Sequence, residues 1–216
     1  MTLENEGAAP DALPDNYFDL GLRLMEAGEY EEAVAMFERA INLGLGDLSA
    51  VYLCRADALS ALGQWEAAEQ SINQALEIEP YMAVAYYDRG NVRLAQRENE
   101  GAINDFTMAI HIEPGYEAAH LNRALAYEAR RRYAEAEADL SRALKLNPEL
   151  KAAYEIRGRV RAAQFKYDEA IADLSYYLRS GGGRDYDNHS ETQGYLLILR
   201  FQRLLWRLIP RWRRRG

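Results

Sequence analysis

The stretch GQWEAAEQSINQALEIEP (63–80) sets Ala68, Ile72 and Ala75 at steps of four and three residues and closes on Pro80. That spacing marks one face of a helix, and the proline marks where the helix stops. The same frame returns along the chain. Ala33, Ala68, Ala102, Ala136 and Ala170 follow one another at 35, 34, 34 and 34 residues. Phe37, Ile72, Phe106, Leu140 and Leu174 stand four places later, and Ala40, Ala75, Ala109 and Ala143 three beyond those, with Tyr177 in the fifth slot. Pro80, Pro114 and Pro148 close three of the units. A fixed period of this length predicts stacked supersecondary units. Within each, the pattern reads as two helices and a turn, roughly 84–96 and 100–112 in the third. Small residues at Gly21, Ala56, Gly90, Ala124 and Gly158 on the first helices meet the alanines of the second, so the helix axes can come close.

These residues resemble the tetratricopeptide repeat (TPR) family, as GEYEEAVAMFERAI (28–41), the opening stretch and YAEAEADLSRALKLNP (133–148) illustrate. The resemblance covers residues 14–184 as five units: 14–47, 49–82, 83–116, 117–150 and 151–184. It implies an all-α fold, a right-handed superhelix (α-solenoid) of about five helical hairpins, with the first helices lining a concave groove. Residues 1–13 then read as a flexible acidic tail. Residues 185–216 read as a linker, an amphipathic capping helix and a basic C-terminal end. Several positions depart from the family pattern. Leu48 is an extra residue, the first unit ends in NLGLGD without a proline, and Arg97 and Asn99 replace a turn glycine and an aromatic.

Composition narrows the function classes. The net charge of −8 is unevenly spread: residues 1–184 hold 19 Lys and Arg against 31 Asp and Glu, whereas residues 185–216 hold 7 Arg against 3 acids. Phosphate backbones need clustered Lys and Arg, so an acidic body argues against nucleic acid as partner. Cys54 is the single cysteine, which excludes an intrachain disulfide and suits a reducing, cytoplasmic setting. The first residues lack a basic and an apolar region, so no signal peptide is read there. No apolar run reaches the length of a membrane span. His111, His120 and His189 lack metal-ligand spacing, Cys54 has no base near it in sequence, and the glycines at 181–183 read as a flexible joint rather than a phosphate loop. The expectation is a protein without catalysis, cofactor or metal.

Four arginines, Arg55, Arg89, Arg123 and Arg157, repeat at 34 residues. Sixteen residues after three of them stand Asp105, Asp139 and Asp173, while Arg55 is followed by Ser71. Two readings compete: a basic stripe for an acidic ligand, or an Arg–Asp ladder tying hairpins together. Because the aspartates would neutralise a stripe, Arg89, Arg123, Arg157 and their aspartates are read as frame.

Binding residues come from the resemblance, which implies that Asp57, Tyr87, Asp88, Asn91, Leu121, Asn122, Leu125, Glu128, Glu155 and Arg159 face the groove. Asn91 and Asn122 match the asparagines with which some TPR proteins clamp a terminal carboxylate. Tyr87, Ala152 and Ile156 stand where that clamp has its basic residues, which argues against it. What is left is two amides able to bond an extended backbone beside Tyr87. The candidate groove set is Tyr87, Asp88, Asn91, Asn122, Leu125, Glu155 and Arg159, and the expected partner a protein or peptide. The C-terminal segment offers an alternative. In ETQGYLLILRFQRLLWRLIPRWRRRG (191–216), Arg200, Arg203, Arg207 and Arg211 share one side of a helix that Pro210 ends, and the rest of its circumference is apolar. Beyond capping the array, that face suits a membrane-proximal adaptor on anionic lipid, or self-association.

Overall fold

A computed structural model of the chain describes residues 16–208. The tail 1–13 and the basic end, with Pro210 and Arg211, lie outside the described residues. Among the described residues the fold is all-α, a repeat fold of the α-solenoid class built of helical hairpins. It divides into two compact units, one through Arg97 and one from Glu98. The first holds α1 (Asn16–Ala27), α2 (Tyr30–Leu43), α3 (Leu48–Ala61), α4 (Trp65–Ile78) and α5 (Ala83–Ala95). The second holds α6 (Asn99–Ile112), α7 (Glu117–Ala129), α8 (Tyr133–Leu146), α9 (Lys151–Ala163), α10 (Tyr167–Arg179), α11 (Gly182–Asp185) and α12 (His189–Leu208).

The periodic residues form the core of each unit. Ala33, Ala68, Ala102, Ala136 and Ala170 are all fully buried. In the first unit, Leu53, Ala56 and Leu59 of α3 pack with Ala68, Ile72 and Ala75 of α4 and with Ala85 and Val92 of α5. In the second, Ala124 of α7 joins Ala136, Leu140 and Leu144 of α8 and Ala153, Ile156 and Val160 of α9. These cores draw on three successive helices, so no hairpin in them buries its apolar face alone. The small-residue rule is literal at Gly158, where an added Cβ would lie 2.7 Å from Leu174 Cγ.

Helix ends follow the sequence for identifiable reasons. Glu79, Glu113 and Asn147 end α4, α6 and α8 in extended backbone, φ −125°, −126° and −132°. Each precedes a proline, which pushes its neighbour out of the helical region. The first hairpin lacks that proline and stops instead at Gly44, in left-handed backbone with φ 65°. Asp47 then caps α3, its carboxylate accepting from Ser49 N at 3.0 Å. Between successive helices a left-handed residue recurs: Gly28, Gly63, Arg97, Arg131 and Phe165, at φ 78°, 71°, 64°, 58° and 61°. Three of these residues thus keep the left-handed conformation without being the glycine that makes it easy.

The last hairpin ends differently from the expected loose joint. Gly182 and Gly183 are buried, and an added Cβ on Gly182 would lie 2.1 Å from the Tyr177 ring. Tyr177 fills the slot that is alanine elsewhere, so the following turn must be glycine to admit the ring. Its hydroxyl meets Asn188 Oδ1 at 2.8 Å. The turn delivers α12 onto α10, where Leu196 and Leu199 pack with Ala162, Ala170 and Leu174. This is how α9 packs on α8, so α12 stands as the first helix of a further hairpin would, and caps the last one.

Candidate functional site

In the first unit, α3 and α5 present Asp57, Asp88 and Asn91 to one cleft of about 320 Å³, walled by Trp65, Ile72, Val92 and Ala95 and completed by Ser60. Burial, and then the charge of Asp57, push the Asp88 carboxyl up to about 7. Burial also pushes Asp57 up. Two carboxylates in a partly apolar cleft resist joint ionisation unless a cation joins them. Burial, and then Asp57, push the thiol of neighbouring Cys54 up to about 11, away from the thiolate form that nucleophilic attack uses.

The family resemblance implies a groove position for Asp57, Asp88 and Asn91, but does not reveal that the two carboxylates share a space with Trp65. A signal for it exists: they are 31 residues apart, the offset that links Asn91 to Asn122. The same offset joins Glu128 and Arg159, in contact at 3.0 Å. Asn91 stands on α5 of the first unit and Asn122 on α7 of the second.

In the second unit, Glu155 and Arg159 of α9 line a cleft of about 250 Å³ with Thr192 and Tyr195 of α12. Arg159 is occupied within the chain. Its Nη1 donates to both Glu155 oxygens at 2.6 and 2.7 Å, and its Nη2 to Glu128 Oε2 at 3.0 Å. Leu125 of α7 is partly buried against the Leu140–Ile156 core.

The arginine rungs bind in three directions. Arg123 Nε and Nη2 each lie 2.7 Å from an oxygen of Asp139, and its Nη1 donates to Thr107 of the preceding hairpin at 3.0 Å. Arg157 repeats this with Asp173 at 2.9 and 2.8 Å and with Ser141 at 3.3 Å. Burial alone would raise the Asp139 carboxyl; hydrogen bonds from Arg123 and His120 outweigh it and hold the group below the ordinary range. Arg89 donates to Asn73 at 2.7 Å, and Asp105 is buried on α6. Each arginine also lies over a tyrosine ring, such as Tyr86 under Arg89 at 5.4 Å.

Residues 24–86 and 117–150 each match a family profile described as tetratricopeptide repeat. Two of the solved structures that match are described as tetratricopeptide repeat proteins. The chain belongs to the TPR family. No curated protein matches it in sequence. Among structural relatives, a MamA fragment from Desulfovibrio magneticus RS-1 superimposes with TM-score 0.73 at 18% identity, over 80% of this chain and 97% of that one. A tetratricopeptide repeat protein from Parabacteroides merdae gives 0.74 at 18%, over 89% and 76%. A thermophilic TPR protein from Thermus thermophilus gives 0.64 at 22%, over 85% and 99%. At these identities the likeness speaks to the fold. TPR hairpins generally serve as non-catalytic scaffolds for protein–protein interaction. Among the described residues, no group of three or more His, Cys, Asp or Glu is placed to hold a metal. No described helix is long and apolar enough to cross a membrane.

Proposed function

We propose that this TPR scaffold holds an extended partner segment against its first helices, and that the Asp57–Asp88 cleft takes a lysine or arginine side chain of that segment. The observation that carries the reading is the pair of carboxylates with raised pKa in one cleft beside Asn91. A cation there relieves their mutual repulsion, and the apolar walls suit its methylene stem. Asn122, Leu125, Glu155 and Arg159 extend the same role to the second unit. The setting is the cytoplasm, in keeping with the single cysteine.

An array of extended peptides, each synthesised with and without one basic residue, tests the reading. Wild type should retain basic-bearing peptides selectively. Asp57→Asn/Asp88→Asn, with unchanged circular dichroism, should lose that selectivity. Equal retention by both proteins sinks it.

A second reading rests on α12. Leu196 and Leu199 are buried on α10, yet on the opposite side Leu197, Ile198, Phe201, Leu204 and Leu205 form a stripe between 47% and 63% exposed. Arg200 flanks it, and no acidic residue follows Glu191. In an antiparallel pair of such helices the flanking arginines would face one another, which disfavours self-association. An anionic lipid surface complements both stripe and charge. Trp206 is not on the stripe; it stacks on Phe165 at 5.0 Å. Arg203 is turned inward, 2.5 Å from Asp168. Flotation with vesicles containing phosphatidylserine should carry the wild type but not Leu197→Gln/Phe201→Gln/Leu204→Gln. Equal flotation of the two removes this reading.

A further inference from the structure

Asp57 and Asp88 differ from the acids that line the other helix contacts. Glu69 meets Arg93 at 2.7 Å and Glu137 meets Arg161 at 2.9 Å. Asp139 and Asp173 hold Arg123 and Arg157 at 2.7 and 2.8 Å, and Glu155 holds Arg159 at 2.6 Å. Among the described residues no basic side chain forms an ion pair with Asp57 or Asp88; the charged neighbour that acts on Asp88 is Asp57 itself. Asp57 is exposed and Asp88 half-buried, so the cleft between them is open to a second molecule.

The complementary charge stands elsewhere in the sequence. Beyond Leu208 the chain continues as IPRWRRRG (209–216), with Arg211, Arg213, Arg214 and Arg215 and no acid. Pro210 disfavours helix in the residue before it. In an extended segment alternate side chains share one side, so Arg211, Arg213 and Arg215 would project together. A guanidinium forks onto carboxylate oxygens and lays its plane on an aromatic ring. The cleft offers both, two carboxylates and Trp65, with Ile72 and Val92 against the methylene stem. The surroundings agree in sign: residues 1–184 hold 19 basic residues against 31 acids.

We propose that the arginine segment 211–215 of one copy docks in the Asp57–Asp88 cleft of a second copy, so that the chain is a partner of itself. This rests on the reading that the cleft takes a basic side chain, and it names the occupant. Charge selects this contact over a pairing of end helices: α12 against α12 sets arginine beside arginine, whereas tail against cleft sets arginine beside aspartate. The two surfaces differ, so the contact is heterologous. A copy that gives its tail keeps an open cleft, and further copies add until a ring closes.

Sedimentation velocity of the full chain over a range of concentrations tests it. Wild type should grow heavier than one chain as concentration rises. Asp57→Asn/Asp88→Asn lacks the acceptor and Arg211→Gln/Arg213→Gln/Arg214→Gln/Arg215→Gln lacks the donor, so each alone should stay a single chain. Their equimolar mixture should pair, one giving the tail and the other the cleft. Glu31→Gln/Glu32→Gln removes two exposed charges from α2, which does not line the cleft, and should associate as wild type does. A wild type that stays a single chain overturns the proposal, a tail held in its own cleft included. So does either cleft or tail variant that associates as wild type does, or a mixture that stays unpaired. A synthetic IPRWRRRG peptide separates this inference from the groove reading. It should bind the tail variant roughly tenfold or more tighter than it binds Asp57→Asn/Asp88→Asn. If other basic peptides depend on the two aspartates and this one does not, the groove reading stands and the self-contact falls. If no basic peptide depends on them, both fall.

Discussion

Removing Arg123 strands Asp139. The carboxylate is only 7% exposed and would keep His120, at 3.2 Å, as its remaining partner among the contacts described above. An uncompensated buried charge costs far more than the pair contributes, so Arg123→Ala should lower stability by about 3 kcal/mol in urea unfolding. The loss should shrink in acid. Asp139 has its pKa depressed in the folded state, so its stabilising effect is present above the unfolded value and fades as pH falls through the folded one. Glu137 behaves alike: burial would raise it, but Lys166, Arg161 and Gln164 outweigh that and hold it down to about 2. Asp88 has the opposite sign. With a folded pKa of about 7, its contribution is full below the unfolded value and is lost as pH rises towards 7. Asp88→Asn should therefore raise stability to urea at pH 8, by roughly 1 kcal/mol after screening of its solvated part, and change it little at pH 4.

At the scale of the helical hairpin, the turn residues carry a measurable strain. Arg131 occupies the backbone conformation that Gly28 and Gly63 adopt freely, at φ 58°. A side chain there costs about 1 kcal/mol or more, so Arg131→Gly should stabilise the second unit by up to roughly that amount, less the added unfolded-state entropy of glycine. Calorimetry of the pair of proteins decides it. The same turns show what is legible in the sequence and what is hidden. Helix positions are readable because Ala33, Phe37 and their repeats must be small or apolar to be buried, and a prolyl ring must end the helix before it. The glycine of the turn is only a preference, so its replacement at 97, 131 and 165 leaves the geometry unchanged while erasing the local signal. Tyr177 is readable as an anomaly but not as the reason for the glycines after it, since that needs the ring and the turn in one place. The candidate site is hidden for a related reason. Asp57 and Asp88 meet across two hairpins, at an offset of 31 rather than at the repeat length of 34. No single repeat contains the pair.

At the scale of the whole molecule, charge and packing follow different rules along the chain. The frame is regular because every internal helix needs the same kind of neighbour. The functional candidates are the irregular places: an aspartate pair in one cleft and an end helix with an unused face. A repeat protein can change such positions one at a time because each repeat touches only its neighbours. The Arg123 and Arg157 rungs also bear on how the second unit would respond to force. Each arginine is fastened to residues sixteen places before and after it, so its links close loops that together span one repeat. A chain pulled from its end cannot release slack until a rung breaks, and a broken rung frees a hairpin at once. Extension under an optical trap should then advance in steps of roughly 110–120 Å, the contour of about 34 residues, before subtraction of the folded span. Arg157→Ala should merge two of those steps into one. The arginines are, mechanically, rip-stops: they fix the size of the tear.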